Sequence, residues 1–188
     1  MTTGVLGGAF DPPHVGHVVL AREAVERFGL DRLLVLVVAE PAHKPVDTPV
    51  DERVELARAA FADVPLAEVR RDDHAYTVDS LRAGGFDLAT TVFLVGADEF
   101  AAFPTWKEPD AILDSVRLGV ATRPGYPVDR LLPVLAALRR PERVELFEIP
   151  AADVSSTEVR ARLERGEPVE DLVPPAVASR VVERGLYH

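Results

Sequence analysis

The amino-acid sequence predicts an α/β fold, a mostly parallel sheet with helices on both faces. Two observations carry that prediction: short apolar runs rich in β-branched residues alternate with segments of helical periodicity, and the polar motifs fall just after the runs. Residues 3–6 form the first run and end at Gly7 and Gly8, where the absence of a side chain allows close backbone approach. A helix over residues 14–28 should follow, with Asp11 as its cap, Pro12 in its first position, apolar residues at Val15, Val18, Val19, Ala21 and Val25, and Gly29 closing it. Further strands are expected at residues 33–38, 68–70, 92–95, 118–121 and 144–149. Helices are expected at residues 51–61, 77–82, 109–115, 128–138, 157–165 and 175–183, with Gly166 and Gly185 closing the last two. This is a Rossmann-like, doubly wound arrangement, in which ligands bind beyond the carboxyl ends of the strands. The segments 7–17, 41–45, 96–98, 123–126 and 155–160 should therefore share one rim.

The composition narrows the function. A chain of 188 residues with 47% hydrophobic content can bury a proper core, and we read residues 1–188 as a single domain, with the proline-rich stretch 41–49 as a loop over the rim. No apolar run nears the roughly 20 residues of a membrane span, and no basic region precedes a signal-type core, so no membrane partner and a cytoplasmic location are expected. Lys plus Arg number 21 against 31 Asp plus Glu, for a formal net charge of −10, which disfavours nucleic acid as a partner. The absence of cysteine excludes disulfides and thiolate chemistry. A small anionic substrate would have to be met by a few cations gathered in one cleft. Oligomeric state is left open.

Two segments supply such a cleft. In GGAFDPPHVGH, residues 7–17, His14 and His17 lie three positions apart and so share one helix face, over a first turn whose free N–H groups and dipole favour an anion. Zinc ligation by this pair is the rival reading, but a site needs three or four ligands, and His43, His74 and His188 show no ligand-like spacing. In SSTEVR, residues 155–160, Ser155 and Glu158 have the spacing of a capping box. Arg160, one turn in, adds a planar fork for phosphate oxygens beside the N–H groups and hydroxyls of Ser156 and Thr157. Neither GxxxxGK[ST] nor a GxGxxG after the first strand is present.

These segments resemble the HxGH nucleotidyltransferases over essentially the whole chain. PAHKP (41–45), AYTVDSL (75–81), VGAD (95–98), TWK (105–107) and TRPGY (122–126) look like the branch acting on pyridine mononucleotides. Phosphopantetheine adenylyltransferases usually carry threonine at the place of His14, and cytidylyltransferases usually end in a different motif from SSTEVR. The chain departs from the pyridine-nucleotide pattern at Ala9, Ala42 and Asp72-Asp73-His74. The resemblance implies that ATP and nicotinate mononucleotide give nicotinate adenine dinucleotide and pyrophosphate. It implies His14, His17 and Arg160 as catalytic residues, with Gly7, Gly8, Ala9, Phe10, Gly96, Asp98, Arg123, Ser155, Ser156 and Thr157 also along ATP, and Lys44, Thr77 and Trp106 along the acceptor. It implies Mg²⁺ carried by the ATP phosphates, with no protein ligand. Two alternatives stay open: the same chemistry on nicotinamide mononucleotide or another phosphorylated acceptor, and a nucleotide sensor without catalysis.

Overall fold

The computed structural model describes residues 1–42 and 45–187. Six strands, β1 (Thr3–Gly8), β2 (Arg32–Val38), β3 (Ala67–Asp72), β4 (Thr91–Gly96), β5 (Arg117–Thr122) and β6 (Val144–Glu148), form one sheet in the order β3-β2-β1-β4-β5-β6. Every neighbouring pair is parallel, so the carboxyl ends share one rim. The order reverses at β1, whose neighbours are β2 and β4, so the end of the first strand is the switch point at which sheets of this kind bind ligands.

Strand residues alternate between two cores. Leu6, Leu33, Val35, Val37, Val92 and Leu94 face one side, where they pack with α1 (Val15–Phe28), α2 (Val50–Phe61), α7 (Ser156–Glu164) and α8 (Pro175–Arg184). Val5, Leu34, Leu36, Phe93, Val95, Leu118 and Val120 face the other, with α3 (Thr77–Ala83), α4 (Ala97–Phe100), α5 (Pro109–Ser115) and α6 (Leu132–Ala137). Burial on both faces is why the inner strands read as continuous apolar runs, whereas the edge strands β3 and β6 carry charged residues. Where α1 crosses β5, the strand must be thin: a Cβ at Gly119 would lie 2.8 Å from the Phe28 ring.

Two expectations need correction. Helix α1 begins after His14, which is its N-cap, and neither Asp11 nor Pro12 takes the place expected of it. Tertiary partners claim both: the Asp11 carboxylate accepts from Tyr187, and the Pro12 carbonyl accepts from Ser156. The expected helix over 128–138 is instead a 3-10 turn, Val128–Arg130, followed by α6. Pro133 has no N–H to donate, and its ring would clash with the residue 129 carbonyl in a continuous helix. The short helix α4, directly after β4, was not foreseen.

Candidate active site

The opening turn and the late helix meet. Arg160 Nη1 donates to the Asp11 backbone carbonyl at 2.6 Å, and Ser156 Oγ donates to the Pro12 carbonyl at 2.9 Å, contacts that span 149 and 144 positions of sequence. Ser155 caps α7 as its spacing predicts, accepting from the Glu158 N–H at 3.1 Å. Only half of the capping box forms, because the Glu158 carboxylate turns outward to Arg162 at 3.0 Å. The Ser156 hydroxyl is spent on joining the two segments. The Thr157 hydroxyl is 3.5 Å from Arg160 Nη2 on the exposed side.

His14 and His17 stack with ring centroids 3.7 Å apart, so the spacing did place both imidazoles over one turn. His17 Nδ1 accepts from the His14 backbone N–H at 3.2 Å. A neutral imidazole that accepts at Nδ1 carries its proton on Nε2, so Nε2–H is the ring's donor. Phe10, at φ 49° and 2% exposed, turns its ring inward. That ring meets the edge of His17 at 5.0 Å and of Phe61 at 5.6 Å, so its side chain supports the histidine from behind. A Cβ at Gly8 would meet the Phe10 ring at 3.2 Å, which explains a glycine there.

The other expected residues lie on elements that follow β3, β4 and β5. Gly96 is the N-cap of α4, and Asp98 lies in that helix's first turn. Arg123 bridges Asp98 and Asp153, donating to each carboxylate at 2.9 Å. Thr77 begins α3, next to Tyr76 at the N-cap. Trp106 is half-buried, edge-on to Phe93 at 6.2 Å and tilted against Phe103 at 5.3 Å. Lys107 lies 4.8 Å over the Tyr76 ring and donates to Asp79 at 2.8 Å, an interaction that holds the Asp79 carboxyl below its ordinary range. Lys44 lies outside the described residues. The departure at residues 72–74 has a structural role: buried Asp72 accepts from the His74 N–H at 3.0 Å and from Ser80 Oγ at 2.5 Å, and so ties the end of β3 to α3.

Sequence reasoning missed Arg53. Its side chain, on α2, is 1% exposed, and it donates to the carbonyls of Thr48 (3.0 Å), Ala9 (2.8 Å), Val38 (2.7 Å) and Ala39 (2.7 Å). Burial lowers its pKa while the nearby Asp11 charge opposes the shift. One guanidinium thus stitches together the backbone leaving β1, the end of β2 and the loop before α2. The signal was available: Arg53 interrupts the buried stripe of Val54, Ala57, Ala60 and Phe61.

The family model described as cytidylyltransferase-like matches residues 5–162. The chain belongs to this family. A relative from Thermus thermophilus, named as a probable nicotinate-nucleotide adenylyltransferase, is 38% identical, with all of both chains covered. A relative of the same name from Rubrobacter xylanophilus is 34% identical over all of this chain and 92% of its own. Together they place the chain in the nicotinate-nucleotide adenylyltransferase branch. The solved structure of Plasmodium falciparum nicotinic acid mononucleotide adenylyltransferase complexed with APC shares the fold, with a TM-score of 0.79 at 15% identity over 99% of this chain and 96% of that one. The same enzyme complexed with NaAD matches with the same TM-score, 0.79.

Proposed function

We infer that the chain transfers the adenylyl group of ATP to nicotinate mononucleotide, giving nicotinate adenine dinucleotide and pyrophosphate. The observation that carries this reading is the junction of the two anion-binding segments, where Arg160 is bonded to the residue that leads into the stacked histidines. The full-length relatives named for this activity support it.

The acceptor phosphate has a second pKa near 6, so it is already largely ionised at neutral pH and needs no general base. What remains is to align the two phosphates and neutralise charge. In this reading His17 donates from Nε2–H to the α-phosphate, where charge builds as the acceptor oxygen attacks in line. His14 backs it, and Arg160 with the start of α7 holds the β and γ groups. The backbone of Gly7, Gly8, Ala9 and Phe10 lies along the nucleotide. Asp98, steadied by Arg123, accepts from ribose hydroxyls. On the acceptor side, the Thr77 N–H reads the nicotinate carboxylate, Trp106 stacks on the pyridine ring and Lys44 meets the phosphate.

Mg²⁺ bound to the ATP phosphates would add charge neutralisation. The donor set of the rim suits an ion that arrives with its ligand, since the central groups are imidazoles, amides and a guanidinium, buried Asp11 is engaged by Tyr187, and Asp98 and Asp153 are engaged by Arg123. The enzyme is proposed to work in the cytoplasm; no helix among the described residues is long and apolar enough to cross a membrane. Pyrophosphate release measured with nicotinate mononucleotide, nicotinamide mononucleotide and other phosphorylated acceptors tests the assignment. Preference for the acid is expected. A better amide substrate would reassign the acceptor, and ATP binding without turnover on any acceptor would mark a sensor.

A further inference from the structure

Beneath the proposed phosphate-binding rim, against Arg160, lie three polar side chains that the proposed mechanism does not use: Tyr187, Asp11 and Arg53. Helix α8 ends in a left-handed turn at Gly185, where the N–H groups of Gly185 and Leu186 donate to the Val182 and Val181 carbonyls. That turn sends the chain back toward the rim. Tyr187, at φ 64°, delivers its hydroxyl to Asp11 Oδ1 at 2.8 Å. A bulky residue at positive φ is strained, and such strain persists only where tertiary contacts hold it.

Asp11 is 5% exposed and faces two guanidinium groups, Arg53 and Arg160. Arg160 Nη1 is 2.6 Å from the Asp11 backbone carbonyl yet 3.9 Å from its carboxylate, beyond hydrogen-bond length. An arginine this near a carboxylate ordinarily closes into a two-bond pair. Here one carboxylate oxygen is already occupied by the phenol. Burial raises the Tyr187 pKa above its ordinary value, so the hydroxyl is a donor throughout the neutral range.

We propose that Tyr187 is a positioning residue of the triphosphate site: its hydroxyl holds Asp11 Oδ1, so that Arg160, which faces Oδ2, is kept from closing into a two-oxygen pair with the carboxylate and its outer N–H groups are left for phosphate. This rests on the reading of Arg160 as a triphosphate ligand. Without the hydroxyl, Arg160 would swing into the carboxylate and its charge would be cancelled locally.

The test is a double-mutant cycle read by ATP binding, nicotinate mononucleotide binding and melting temperature on the full chain. Tyr187→Phe keeps the ring and should weaken ATP by about three- to tenfold, the scale of one ordinary hydrogen bond. Binding of nicotinate mononucleotide should hold. On an Asp11→Asn background no carboxylate remains to capture Arg160, and the same Tyr187→Phe change should then cost nothing in ATP affinity. An equal loss on both backgrounds, a matching loss for both ligands, or a lower melting temperature with ATP affinity intact would each overturn the proposal. Arg160→Ala separates the two levels. If it leaves ATP affinity unchanged, the site reading itself fails; if it weakens ATP while Tyr187→Phe does not, only the positioning role fails.

Discussion

His17 joins sequence, geometry and chemistry at a single atom. Its Nδ1 is held by the His14 N–H, which leaves the proton on Nε2. If that proton meets charge that grows only in the transition state, His17→Ala should lower kcat by about a hundredfold or more while the KM for ATP moves little. Steady-state kinetics at saturating acceptor decide this, and a raised KM at unchanged kcat would reduce His17 to a ground-state ligand. Trp106 is the matching test on the acceptor side. Replacing it with alanine should raise the KM for nicotinate mononucleotide roughly three- to tenfold and leave that for ATP near its starting value. Comparable losses would make it a core residue packed on Phe93 and Phe103. Tyr187 also predicts a pH effect on stability. Its unfolded phenol titrates near 10.0 and its folded one higher, because burial disfavours the phenolate. The folded chain therefore holds the proton more tightly, so this stabilisation is complete below about pH 10 and is lost as pH rises through the folded value. Denaturant unfolding followed across that range should show the decline, and Tyr187→Phe should flatten it.

Among the elements, those announced by local chemistry were the easiest to read. The Ser155 cap of α7 acts where its spacing put it, and Ser155→Ala should cost about 1 kcal/mol of stability by leaving the Glu158 N–H without its acceptor. Thermal melts of the folded variant would show the loss. The start of α1 was misjudged because Asp-Pro-Pro carries a strong local signal, whereas the partners that override it come from the far end of the chain. In the 128–138 segment the error was a local one: the proline at 133 was already in the sequence and marks where the helix must restart. Helix α4 went unread because four residues, Ala97–Phe100, are too few to show a period.

Across the whole molecule, the parallel sheet brings the carboxyl ends of six strands to one rim, and Arg53 fixes the chain leaving β1 to that leaving β2. Arg53→Met would fill much of the same volume but leave the carbonyls of Ala9, Val38 and Ala39 without these donors. A loss of about 3 kcal/mol or more is expected, since each buried acceptor left unpaired costs about 1–3 kcal/mol. Denaturant titration would measure it, and a loss under 1 kcal/mol, judged against that same range, would mean that water replaces the guanidinium.

Local pattern by itself determined the six strands, most of the helices between them, the parallel class and the pairing of two imidazoles, because apolar period and helical spacing act over a few residues. Which groups close the site was settled only in three dimensions. Asp11 gave up its capping place to Tyr187 and Arg160, and Arg53 found its carbonyls, because a buried polar group takes whatever partner the packed chain brings within reach, however far off in sequence that partner lies.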